Sequence, residues 1–312
     1  MGKYWCGIAH FVALSVFCGV AASQPPRNLD GIADTPGTGP FAPIKEIDPG
    51  LPDQVLYRPA DLASLGGAKL GLYVFGNGGC SNDGASARLH LLNVASHGYI
   101  AIAPGGIYNG PGKTAAPPRP EGASIETYAP TNPRQLSAAI DWALAENDRP
   151  GSRYHGLIDP DQIAISGFSC GGVQALSIAG DPRVDTVVIM NSGLFVEGDT
   201  RMGAMVVTKD QLADLHTPTL YVLGGSTDIA YENGMDDYHK IEHVPVAVAS
   251  IDKGHGGTYW EPNGGAAAEV VIDWLDWQLR DDAQAARMFT GEACRLCVDG
   301  QWDYMSKGLH RP

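Results

Sequence analysis

Ser169 lies in Gly167-Phe168-Ser169-Cys170-Gly171-Gly172, after the apolar run Gln162-Ile163-Ala164-Ile165-Ser166 and before the helix-like run Val173–Ile178. Strand, Gly-x-Ser-x-Gly, helix is the layout of a nucleophile elbow. The turn must be sharp, and glycine escapes the Cβ penalty of such a turn. It would lift the Ser169 hydroxyl out of a sheet toward a base. A serine hydroxyl is a poor nucleophile at neutral pH. It needs a base to take its proton, and the base needs an acid to hold its tautomer and stabilise the imidazolium.

In such a sheet the order is Ser, then Asp or Glu, then His, each at a strand end. Leu220-Tyr221-Val222-Leu223 ends in Gly224-Gly225-Ser226-Thr227-Asp228, which makes Asp228 the expected acid. Asp236 and Asp237 are rivals in a polar stretch farther from the strand end. Val246–Ile251 is followed by Gly254-His255-Gly256-Gly257, which places His255 as the base. His216 and His243 precede strands, His90 and His97 fall before the serine, and His155, His239 and His310 lack a strand in the right place.

The tetrahedral intermediate carries an oxyanion, and removing one of its donors costs about 3 kcal/mol of barrier. The N–H after the nucleophile, that of Cys170, supplies one donor. Phe75-Gly76-Asn77-Gly78-Gly79-Cys80 ends an early strand and supplies the other. Gly79 is favoured, with Gly78 or Cys80 within one register step. Phe168, Tyr231, Tyr259 and Trp260 flank these positions as candidate acyl or alcohol pocket residues, although each could equally be packing.

The elements that must position these groups are those of an α/β chain. From about Gln54 apolar runs alternate with helical stretches, which indicates a mostly parallel sheet. Leu70–Phe75, Tyr99–Ala103, Ile163–Ser166, Val184–Met190, Thr219–Leu223 and Val244–Ile251 read as strands. Gly84–His97 reads as a helix. Asn132 and Pro133 cap another, running through Leu136, Ile140, Trp142 and Leu144. Ala266–Leu279 is helical, with Val270, Val271, Trp274 and Trp277 on one face, and the tryptophans read as core. Residues 104–133 hold seven prolines, too long and irregular for an ordinary connection. They leave the sheet edge where ligands bind, as a wall or lid of a cleft or as a surface loop. Residues 24–52 look like an extended Pro/Gly-rich leader, and 53–312 like one domain without repeats.

The chain has 312 residues, 44% of them hydrophobic, and a net charge of −14. The charge disfavours nucleic acid and anionic membranes as partners and suits a soluble secreted protein. Residues 1–23 read as a secretory signal, with Lys3, an apolar stretch from Ile8 to Ala22 and a small-residue cleavage site. The stretch is short for a membrane anchor. Cys6 and Cys18 would leave with it, and Cys80, Cys170, Cys294 and Cys297 would enter an oxidising compartment. Three pairings are possible for four cysteines. Cys294 and Cys297 suit a local disulfide better than a metal site, since no second ligand pair lies at finger spacing. Cys80 and Cys170 then remain for each other. Their pairing would clamp the two donor loops together, and free buried thiols are the alternative.

Taken together, the motifs resemble the α/β-hydrolase superfamily. They are similar to secreted members of the dienelactone hydrolase and cutinase/polyesterase-like groups. The resemblance covers roughly residues 54–307. It rests on Phe75–Cys80, Ala95-Ser96-His97-Gly98-Tyr99, Gly167–Gly172, Gly224–Tyr231, Gly254–Tyr259 and the tail from Cys294-Arg295-Leu296-Cys297 through Trp302 to Lys307. Asn77 stands where many relatives carry His before Gly. Ser169 stands where dienelactone hydrolases often carry Cys. The resemblance implies an α/β-hydrolase fold and a secreted or periplasmic serine ester hydrolase, with no cofactor or metal. A monomer acting on a small-molecule or polymeric ester is the expectation. A serine peptidase of the same fold and a non-catalytic binding protein with a vestigial triad are the alternatives.

Overall fold

Short runs rich in Val, Ile, Leu and Tyr, closed by Gly, Pro or Asn, become the strands of one sheet. The structure is a computed structural model that describes residues 29, 31–124, 127–196, 200–202 and 205–309. The expected signal, Cys6, Cys18 and His310 lie outside the described residues.

The strands are β1 (Pro43–Glu46), β2 (Gln54–Pro59), β3 (Leu70–Gly76), β4 (Tyr99–Pro104), β5 (Ile158–Phe168), β6 (Thr186–Met190), β7 (Thr200–Met202), β8 (Met205–Val207), β9 (Thr219–Leu223), β10 (Val246–Ile251) and β11 (Trp302–Lys307). The helices are α1 (Arg88–Ser96), α2 (Pro133–Asp148), α3 (Cys170–Leu176), α4 (Tyr231–Lys240), α5 (Gly265–Arg280) and α6 (Arg295–Val298). The main sheet has nine strands in the order β1-β2-β4-β3-β5-β6-β9-β10-β11. From β4 to β10 every pairing is parallel, while β1, β2 and β11 join antiparallel at the two edges. The protein is therefore α/β, with a mixed, mostly parallel sheet flanked by helices. Strands β7 and β8 form a separate two-stranded ribbon.

Both faces of the sheet are covered, so its inner strands are apolar throughout rather than alternating. One face packs Leu72, Val74, Ile163, Ile165, Val187 and Ile189 with Leu136 and Ile140 of α2 and Val173 and Leu176 of α3. The other packs Tyr73, Phe75, Val188, Leu220 and Val222 with Leu91 of α1 and Trp274 of α5. Trp274 and Trp277 are buried against Phe289, and the Trp274 indole N–H donates to Thr186 Oγ1 at 2.8 Å. They belong to the core, as their spacing suggests. Among the described residues no helix is long and apolar enough to cross a membrane.

Several boundaries differ from the sequence reading, β5 for instance starting at Ile158 rather than Ile163. Helix α1 starts at Arg88 rather than Gly84, because the preceding residues bind the chain after β4. Gly84 N–H donates to Gly106 O, and Asp83 accepts from the N–H groups of Ala85 and Tyr108. The stretch read as leader includes the edge strand β1. The tail residues Trp302–Lys307 form the other edge strand, registered along all of β10. Helix α2 starts where its cap suggests, with Asn132 and Gln135 forming a reciprocal capping box around Pro133.

The parallel strands all end on one side. Asn77 follows β3, Ser169 follows β5, Asn191 follows β6, Asp228 lies past β9 and His255 past β10. The carboxyl edge of an open α/β sheet is where ligands bind.

Candidate active site

Ser169 occupies the single residue between β5 and α3, with φ 53° and ψ −122°. A serine at positive φ is strained by about 1–3 kcal/mol and persists only where its surroundings hold it. Here Ser169 N–H donates to Met190 O at 3.0 Å, and Ser169 O accepts from Ser192 Oγ at 2.7 Å and from Gly172 N–H at 2.9 Å. The turn also needs bare backbone around it. A Cβ at Gly167 would fall on the carbonyl of Gly171, and one at Gly171 would fall on the carbonyl of Gly76. At this turn strand β3, strand β5 and helix α3 approach one another through the bare backbone of Gly76, Gly167 and Gly171.

The hydroxyl of Ser169 donates to His255 Nε2 at 2.9 Å, and His255 Nδ1–H donates to Asp228 Oδ1 at 2.6 Å. An ionised carboxylate can only accept, so Asp228 fixes the tautomer that leaves Nε2 free to take a proton. The Asp228 side chain is fully buried. Burial alone would raise its pKa. The hydrogen bond from His255, Ala230 N–H at 2.9 Å and the Asn191 amide at 2.8 Å outweigh that and hold the carboxyl below its ordinary value. Gly224 N–H adds a further bond to Oδ2 at 3.1 Å.

The rival acids are committed elsewhere. Asp236 and Asp237 lie on α4, where both pair with Lys209. Among the other histidines, His90 is buried beside Tyr73, and burial pushes its pKa down to about 3. His97, His155 and His243 bond to Thr38, Asn147 and Leu215 respectively.

Cys80 and Cys170 form a disulfide with their Cα atoms 5.2 Å apart, and Cys294 and Cys297 form the second. The first bridge ties the loop after β3 to the residue after Ser169. Cys170 is the first residue of α3, so its N–H has no partner within the helix. Gly79 has φ 62°, and a Cβ there would meet nothing within 4 Å. Among the described residues neither the Cys170 nor the Gly79 N–H donates to an acceptor. Gly78 differs, because a Cβ there would fall 2.4 Å from the Phe168 ring.

The flanking aromatics separate into two roles. The half-buried Phe168 ring lies 5.3 Å from the His255 ring and 5.3 Å from that of Trp260. Trp260 is half-buried too, with its indole N–H donating to Ser86 O at 3.0 Å. Tyr231 is half-buried at the start of α4. Tyr259 is instead buried, and its hydroxyl donates to Asn191 Oδ1 at 2.5 Å, so it supports the residues that hold Asp228 rather than lining a cleft.

Asn191 and Ser192 are absent from the sequence reading. Their signal was a polar pair directly after the apolar run Val187–Met190, at the same sheet edge as the other groups. Asn191 has φ 44°, a region that Asn tolerates better than most residues. Its amide bridges Asp228 and Gly254 O. Compared with known proteins, the chain matches no family model and no curated protein.

Proposed function

We propose that the protein is a secreted serine carboxylic-ester hydrolase of α/β-hydrolase fold. One observation carries the reading: the unbroken hydrogen-bond chain from Ser169 through His255 to buried Asp228, starting at a serine held at positive φ between a strand and a helix. Ser169 Oγ attacks the ester carbonyl as His255 Nε2 takes its proton. Asp228 stabilises the imidazolium without taking the proton itself. The N–H groups of Cys170 and Gly79 receive the oxyanion. His255 then protonates the leaving alcohol. In the second half His255 activates water, which attacks the acyl-Ser169 carbonyl and releases the acid. Phe168, Trp260 and Tyr231 are the proposed walls for the acyl or alcohol group. Two disulfides support an extracytoplasmic location, since cytosolic thiols are kept reduced.

The test is hydrolysis of p-nitrophenyl butyrate by the mature protein beside Ser169→Ala. The expected loss is at least about 10³-fold in kcat. Equal turnover by the two proteins would overturn the reading. Cleavage of peptides without cleavage of esters would move it to a serine peptidase on the same triad.

A further inference from the structure

Two consecutive residues of the loop between β3 and α1, Gly79 and Cys80, have positive φ, at 62° and 47°. Such a loop does not hold its shape through local preference. The Cys80–Cys170 bridge is one restraint on it. Hydrogen bonds supply two more, at the two ends of the long Pro/Gly-rich segment.

The first is at Thr131, where that segment returns to the core. Thr131 is buried, and its N–H and its Oγ1 hydroxyl both donate to Cys80 O, at 3.1 and 2.9 Å. Behind it, Gln174 Nε2 donates to Thr131 O at 2.9 Å and to Thr131 Oγ1 at 3.2 Å. The proton count closes: the Thr131 hydroxyl gives its one hydrogen to Cys80 and receives one from Gln174. Gln174 lies one turn beyond Cys170 on α3. Helix α3 therefore reaches Cys80 twice, through sulfur at its first residue and through Thr131 a turn later.

The second restraint is at Asn77, where the same segment begins. Asn77 is fully buried, and its Nδ2 donates to Ser81 O at 2.9 Å and to Pro104 O at 2.7 Å. Its amide therefore closes the donor loop on itself and fastens it to the first stem. Gly79 sits midway between the two anchors.

We propose that Thr131, backed by Gln174, and Asn77 are positioning residues that aim the Gly79 N–H by pinning its loop to both stems of the segment 104–131. The inference rests on the ester-hydrolase reading for its catalytic consequence, but the pinning has a readout of its own. Neither residue touches substrate. Each acts through the backbone that carries the donor, and a small misaim at a reacting centre costs rate rather than affinity.

The experiment compares full-length Thr131→Val and Thr131→Ser with the unaltered protein. Valine keeps the shape and the backbone N–H but removes the relay hydroxyl, and serine keeps the hydroxyl. With p-nitrophenyl butyrate, kcat of the Val variant is expected to fall about tenfold while KM moves less than about twofold. The Ser variant should stay within about twofold of the original kcat. Amide hydrogen exchange across residues 77–81 should speed up in the Val variant and not in the Ser variant. A folded Val variant with unchanged kcat and unchanged exchange overturns the proposal, as does a lowered melting temperature with neither change. Should Thr131→Val fail to fold, Gln174→Met is read by the same measurements. Should the unaltered protein hydrolyse no ester, the proposed function fails on its own account. The exchange rates then decide the pinning: faster in Val supports it, equal rates refute it.

Discussion

Tyr259 donates its hydroxyl to the side-chain oxygen of Asn191 at 2.5 Å, both residues being buried. That bond settles which way the Asn191 amide faces. Its NH₂ end is turned to Asp228 Oδ2 and to Gly254 O, at 2.8 and 3.1 Å. The carboxylate and the loop that carries His255 are thus held by one amide.

Removing that amide should weaken the proposed triad without dismantling it. A hydrogen bond to a charged group is worth about 1.5–3 kcal/mol, which corresponds to roughly a 10- to 150-fold change in rate. Asn191→Ala is expected to lower kcat toward p-nitrophenyl butyrate within that range. Tyr259→Phe leaves the amide in place but unaimed, and should cost about threefold or more. Steady-state kinetics on both variants checks the order. A Tyr259→Phe loss larger than that of Asn191→Ala would contradict it.

The two disulfides should differ sharply in their effect on stability. One closes a separation of 90 residues and the other a separation of 3. In the chain-entropy description these are worth about 4–5 and about 2 kcal/mol. Replacing Cys80 and Cys170 together by Ala should lower the unfolding midpoint well below that of the Cys294/Cys297 double variant. Only the former should also lower kcat, because only that bridge joins the proposed oxyanion donors. Denaturant titration and ester kinetics on the two double variants test both parts.

Asp237 gives a pH prediction. It is buried on the inner side of α4, and burial pushes its carboxyl up to about 6, against the pull of the Lys209 ammonium 2.5 Å away and the donors Leu194 N–H and Tyr221 hydroxyl. An acid whose folded pKa lies above its unfolded value takes up a proton on folding between the two. Its contribution to stability therefore grows as pH falls from about 6 toward 4 and is lost as pH rises through about 6. Asp237→Asn removes this titration. Melting temperatures at pH 4 and pH 7 should show the unaltered protein gaining on the variant by a few °C at the lower pH. A constant difference would show that Asp237 does not titrate there.

Much of this placement is legible in the chain because the candidate groups follow strand ends. Ser169, Asp228 and His255 each stand a few residues past an apolar run, and those runs are buried parallel neighbours. Asn191 meets the same rule. It went unread because its role depends on β6 lying between β5 and β9, an adjacency that no local pattern states. Thr131 is hidden for a related reason: the Asn132–Pro133 cap marks where the long segment ends, but its partner Cys80 lies 51 residues earlier, and no local pattern states that contact. Strand β11 escaped because its residues are only partly buried and carry no apolar run. Helix α4 escaped because its sequence, Tyr-Glu-Asn-Gly-Met-Asp-Asp-Tyr-His-Lys, is polar and has no side-chain cap. The glycine turn around Ser169 was the opposite case, since close backbone approach leaves a local mark in the sequence.

The Cys80–Cys170 bridge also spans the exposed stretch 111–122. A backbone cut in that stretch would divide the chain between its two proposed donors, one on each piece. The pieces would still travel as a single molecule, held by sulfur and by the shared sheet, in which β3 from the first piece lies against β5 from the second. At the proposed secreted location, this exposed stretch would then be a place where peptide continuity can be lost while the assembled edge of the sheet survives.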